Sequence, residues 1–190
     1  MMSSLNITYV KEPYMSEMTP QDKSIMISLP YRVGIWISQI DDIENRKMDD
    51  KREEKVLELA IEKMAGAHRK MPFAANIMTQ VQKSKGQWKN WKTMSDEKTV
   101  LKDIEDILIK AEATLKPAQI KQYKQAVWQT GILVAQAYDE NYDPDGEMHV
   151  NHFAEWVGSF FAAPKLKKAP ENMSEKEKSA LKKLRAVLKQ

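Results

Sequence analysis

Apolar residues along this chain recur every three or four positions, and nothing longer than a few residues alternates with period two, so the pattern predicts helices. Thr19 followed by Pro20 reads as an N-cap with proline at the first helical position, where its missing N–H costs nothing. Pro30 is expected to break or kink that helix, because it removes a donor and crowds the preceding turn. The run from Tyr31, with Val33, Ile35, Trp36, Ile37 and Ile40, is apolar on nearly all sides and reads as a central helix. Asp50 and Glu53 have capping-box spacing and open a helix that turns Val56, Leu59, Ala60 and Met64 inward and ends at Gly66.

Pro72 opens the next helix, on which Phe73, Ile77 and Val81 recur every fourth residue. Gly86, Trp88 and Trp91 mark a turn that packs back on the body. Ser95, Asp96 and Glu97 start a helix with Val100, Leu101, Ile104, Ile107 and Leu108 in one stripe, and Pro117 starts another that runs to about Asp139. After the polar turn DENYDPDGE a helix presents Phe153, Trp156, Val157 and Phe160. Pro164 and Pro170 bound a basic linker, and Ser174 with Glu177 caps a last helix carrying Leu181, Leu184 and Leu188. The expectation is an all-α, compact bundle of about seven to eight helices ending in a basic amphipathic helix.

Composition narrows this further. The 190 residues include no cysteine, which excludes disulfide scaffolds, thiolate metal sites and thiol nucleophiles. No stretch is apolar enough to span a bilayer and the first residues lack a signal-peptide pattern, so a cytoplasmic location is expected. Residues 165–190 hold nine Lys/Arg against three Glu, a net +6, which leaves −3 on residues 1–164. The division expected is therefore an all-α domain over 1–164 and a basic linker and helix over 165–190. An acidic body argues against nucleic acid as a partner.

Shifting the chain by 97 residues lays YRVGIWISQIDD (31–42) over WQTGILVAQAYD (128–139), with identities Gly34/Gly131, Ile35/Ile132, Gln39/Gln136 and Asp42/Asp139. The register continues with Val56 over Phe153, Leu59 over Trp156 and Ala60 over Val157, so 31–64 and 128–161 read as a duplicated helix pair about a pseudo-twofold axis. A glycine inside a helix costs about 1 kcal/mol relative to alanine, and its recurrence at matching positions predicts close helix–helix approach.

Each pair joins its helices through an acidic turn. The segments ISQIDDIENRKMDDKREEKVLELA and ILVAQAYDENYDPDGEMHVNHFAEWV, with a carboxylate after the first apolar helix and an acidic start to the second, resemble the tellurite resistance TerB-like family. The family's short Ala-Asp-Gly turn is absent from the first segment, and in the second Asp145 and Gly146 stand later in the turn. The resemblance implies an all-helical fold, acidic sites for divalent metal and a role in stress response or as an accessory domain.

Read from the residues themselves, the richest constellation is Asp139, Glu140, Asn141, Asp143, Asp145, Glu147, His149 and His152. Asn141, Asp143, Asp145 and Gly146 match positions 1, 3, 5 and 6 of a calcium loop, but position 12 is His152 in place of the bidentate glutamate. His149 and His152, three apart at a helix start, suit a transition metal beside a carboxylate. Calcium, zinc or manganese is thus the expected cofactor class, with a purely structural turn as the alternative. Asp42 and Asp50 are the first-half counterparts, diluted by Arg46, Lys47, Lys51 and Arg52.

Enzymatic chemistry finds little footing. The chain has no G-x-S-x-G, P-loop or G-x-G-x-x-G, and His68 has no recognisable nucleophile partner. The expected role is therefore a non-enzymatic metal-binding or stress-response domain, with a helical adaptor as the alternative and a paired-carboxylate hydrolase third. Trp88 and Trp91 among Lys83, Lys85, Lys89 and Lys92 resemble a single-strand stacking surface, though tryptophans at a turn more often anchor a core. The last helix is expected to pack on the body or dock an unidentified protein partner.

Overall fold

The computed structural model describes residues 15–40, 47–67, 69–135 and 173–189, the side chains of 47–53 excepted. Seven α-helices and no strand occur among the described residues: α1 (Pro20–Ser38), α2 (Lys47–Ala65), α3 (Pro72–Lys83), α4 (Trp88–Lys92), α5 (Glu97–Thr114), α6 (Pro117–Ala135) and α7 (Glu175–Lys189). The all-α expectation is met. None of these helices is long and apolar enough to cross a membrane.

Two helices form the centre. Every residue from Ser28 to Ile37 of α1 and from Ala126 to Ala135 of α6 is buried, so both are enclosed on all sides while the other helices turn one apolar face to them. The two helices begin at Pro20 and Pro117, 97 residues apart. The stretches 31–38 and 128–135 of the proposed repeat are both helical, whereas the second helix of the second pair lies outside the described residues. Each repeated glycine sits at a close approach. A Cβ on Gly34 would collide with the Leu57 side chain of α2, and one on Gly131 would fall 2.9 Å from Leu184 Cδ2 of α7 and 3.3 Å from Val33 Cγ1 of α1.

Two sequence expectations about helix boundaries need correction. Pro30 does not break α1, which continues to Ser38. Proline at position 30 has no N–H for the carbonyl of Met26, four residues back. The Tyr123 hydroxyl of α6 donates to that carbonyl at 3.0 Å instead, so the acceptor stays satisfied and the helix continues. Asp50 is not a cap: α2 is already helical at Lys47, which puts Asp49 and Asp50 in its first turn, where the macrodipole favours carboxylates. The cap of α5 is Asp96, whose Oδ1 accepts from the Thr99 N–H at 3.0 Å, while Ser95 is buried and donates to the Trp91 carbonyl. Elsewhere the caps are as read. Thr19 accepts from the Asp22 N–H at 3.1 Å, and Ser174 and Glu177 exchange bonds of 2.9 and 3.1 Å.

Helix directions follow from long-range pairs. Asp22 meets Lys110 at 2.5 Å and Arg32 meets Asp103 at 2.7 Å, so contacts move backward along α5 as they advance along α1, and the two helices are antiparallel. Lys110 and Thr19 together hold the Asp22 carboxyl below its usual range. Only Leu115 and Lys116 separate α5 from α6, so α6 reverses again and runs in the sense of α1. The pairs Met26–Tyr123 and Val33–Gly131 advance together along both helices, in agreement. α3 is capped from outside by Gln122 of α6, whose side-chain oxygen accepts from the Phe73 N–H at 2.9 Å.

The enclosed Arg32 is the costliest group in this core. Its side chain is 2% exposed, and Nε and Nη2 donate to the Met94 carbonyl at 3.0 and 2.6 Å while Nη1 pairs with Asp103. A buried ion that loses its partner destabilises a fold by about 3 kcal/mol or more. Asp103→Ala is therefore expected to lower stability in denaturant titrations by roughly 3 kcal/mol, and Arg32→Met added to it is expected to recover part of that loss. A loss from Asp103→Ala indistinguishable from zero would show that the carboxylate does not compensate Arg32.

Candidate functional site

Because α1 and α6 run in the same sense, Ser38 and Ala135 finish at one end of the bundle. The acidic runs beginning at Asp41 and Asp139 continue in sequence from that end. A helix C-terminus carries partial negative charge from its unpaired carbonyls, which favours a cation there. α1 has no base in its last turn, and neither has the described last turn of α6.

α7 brings two lysines and a glutamate, Glu175, to this end. A recess of about 370 Å³ lies between Ile40, just past α1, Glu97 at the start of α5, and the first half of α7 with Lys176 and Lys183. Lys183 pairs with Glu97 at 2.6 Å across it. The apolar face of α7, with Ala180, Leu181, Leu184, Val187 and Leu188, is buried in the same core as α1, α5 and α6. The last helix thus packs on the body, as one of the two expectations had it, and its lysines face outward.

Of the metal-ligand candidates, Asp42, Asp139, Asp143, Asp145, Glu147, His149 and His152 lie outside the described residues, as does His68. Asp50 is placed by its backbone alone, in the first turn of α2. Among the described residues no group of three His, Asp or Glu side chains is arranged to hold a metal ion.

The tryptophan and lysine cluster is resolved in favour of a core anchor. Trp88 stacks on Tyr31 with ring centroids 4.6 Å apart, carries the Lys85 ammonium 5.5 Å from its ring centroid, and donates its indole N–H to the Val81 carbonyl at 3.1 Å. Trp91 is buried. Lys85 and Lys92 pair with Glu58 and Glu54 of α2. Neither ring is left as an open stacking platform. Desolvation first, then the charge of Glu54, pushes the Tyr31 phenol up to about 12.

Sequence reasoning missed Arg32, a single charge in the otherwise apolar run YRVGIWI, and the signal was that isolation. Gln122 carried no comparable signal, because its role depends on a helix 48 residues away. No protein-family model, no curated protein and no solved structure matches the chain.

The shared end can be tested without perturbing the core. The chain lacks cysteine, so spin labels on Gln21→Cys, Gln39→Cys and Ala118→Cys, all exposed positions, would be unique. α1 is about 28 Å long at 1.5 Å per residue, so the 21/118 distance is expected to be far shorter than the 39/118 distance. The reverse order would show that α1 and α6 run in opposite senses.

Proposed function

We propose that the chain is a non-enzymatic accessory domain of the TerB-like kind, binding a divalent cation through Asp139, Asp143, Asp145, Glu147, His149 and His152, with Asp42 and Asp50 from the first acidic run in support. The observation that supports this reading is the common direction of α1 and α6, whose described last turns lie toward one end of the bundle, hold no base and are each followed in sequence by an acidic run. Carboxylate and imidazole together suit calcium, manganese or zinc, depending on which groups close the coordination shell. The proposed setting is the cytoplasm and the proposed role a stress response.

A second reading has its own support. Lys176 and Lys183 line the recess at this end together with Glu97 and Glu175, and Lys183 pairs with Glu97, so carboxylates at this end are met by ammonium groups without a metal. The acidic runs would then be structural and the domain a helical adaptor.

Calorimetric titration of the full chain with calcium, manganese and zinc separates the two. The metal reading expects saturable binding to at least one ion, abolished by Asp143→Ala with Asp145→Ala. It also expects a gain in stability of about 2.7 kcal/mol at a hundredfold excess over the dissociation constant. Flat titrations with all three ions would decide for the adaptor.

A further inference from the structure

The methionines whose side chains are described fall into two groups. Seven are enclosed, from Met26 and Met78 with no exposed surface to Met71 and Met173 at 6%, whereas Met94 is 44% exposed. Only Ile109 matches it as an exposed large apolar side chain among the described residues. Met94 occupies the turn between α4 and α5, and the backbone of that turn is fixed. Its carbonyl takes both Arg32 bonds, its N–H donates to the Trp91 carbonyl at 3.0 Å, and the next residue, Ser95, is buried and bonded to the same carbonyl at 2.8 Å. The Met94 side chain is thus partly exposed on a backbone that the core grips.

We propose that Met94 is a site of reversible oxidation by hydrogen peroxide. A sulfur lone pair attacks one peroxide oxygen, an S–O bond forms as the O–O bond breaks, and the second oxygen leaves as water after proton transfer. The sulfur loses two electrons and the peroxide is reduced. Thioether oxidation of this kind follows exposure and is reversed by methionine sulfoxide reductases. The position selects a modification that the fold tolerates. Arg32 holds the backbone carbonyl and not the sulfur, so a sulfoxide at 94 changes the surface between α4 and α5 while leaving the core in place. A sulfoxide on an enclosed methionine would instead bury a new polar group among apolar neighbours.

Graded peroxide treatment of the full chain, followed by peptide mapping in a mass spectrometer, tests this. Met94 sulfoxide is expected at least about tenfold faster than sulfoxide at any of the seven enclosed methionines, in line with control by exposure. Protein oxidised at Met94 is expected to melt at the temperature of the untreated protein and to return to the reduced mass with methionine sulfoxide reductase. Met94→Leu should remove the fast product from the peptide spanning the turn and leave oxidation of the seven unchanged. Equal rates at Met94 and the enclosed residues, or a lowered melting temperature on oxidation of Met94, would overturn the proposal, and the wild-type map decides even if the variant folds poorly.

Discussion

The hydrogen bond from the Tyr123 hydroxyl to the Met26 carbonyl carries much of what is distinctive in this fold. Pro30 leaves that carbonyl without its donor inside a fully buried stretch, where an unmet acceptor is expensive. Supplying the donor from α6 keeps α1 unbroken and commits the two enclosed helices to each other. Burial pushes the Tyr123 phenol well above its ordinary value, so the donor stays protonated at any physiological pH. Arg32 follows two residues after the proline, and its three bonds to the α4–α5 turn and to Asp103 set the outer helix against the inner pair. Once α5 is antiparallel to α1 and a two-residue turn joins it to α6, the common direction of the inner helices follows.

That direction connects packing to function. Ser38 and Ala135 lie toward one end of the bundle, and in sequence each is followed within a few residues by an acidic run. The first half of α7, with its lysines, faces the same end, and Lys183 already pairs with Glu97 there. The proposed metal and the basic helix answer the same electrostatic demand, which is why one titration separates the two readings. The tryptophans, by contrast, belong to the fold: with Tyr31 they seat α4 on α1.

Legibility in the sequence followed the range of the interactions. Local rules served well: Thr19 and the Ser174/Glu177 box are caps, the prolines at 20, 72 and 117 each open a helix, and the paired glycines mark close approaches. Apart from the boundary of α2, what the sequence hid depends on a distant partner. Pro30 reads as a breaker until Tyr123, 97 residues from Met26, supplies the donor. Ser95, Asp96 and Glu97 mark the start of α5 in sequence, and burial of the Ser95 hydroxyl against Trp91 leaves the cap to Asp96. Arg32 was passed over because its partners lie on another helix and the turn before it. Of the candidate ligands, residue type is legible and spatial arrangement is not, since Asp139 to His152 fall outside the described residues.

A double-mutant cycle on Tyr123→Phe and Pro30→Ala measures the central hydrogen bond directly. With Pro30 present, Tyr123→Phe is expected to cost about 1–3 kcal/mol in denaturant titrations, the penalty of an orphaned buried carbonyl. With alanine at 30, the restored backbone N–H reaches Met26, and the same substitution is expected to cost clearly less, with a coupling of at least about 0.5 kcal/mol. An equal cost in both backgrounds would mean that the tyrosine does not replace the donor that proline removes, and that α1 continues through Pro30 for another reason.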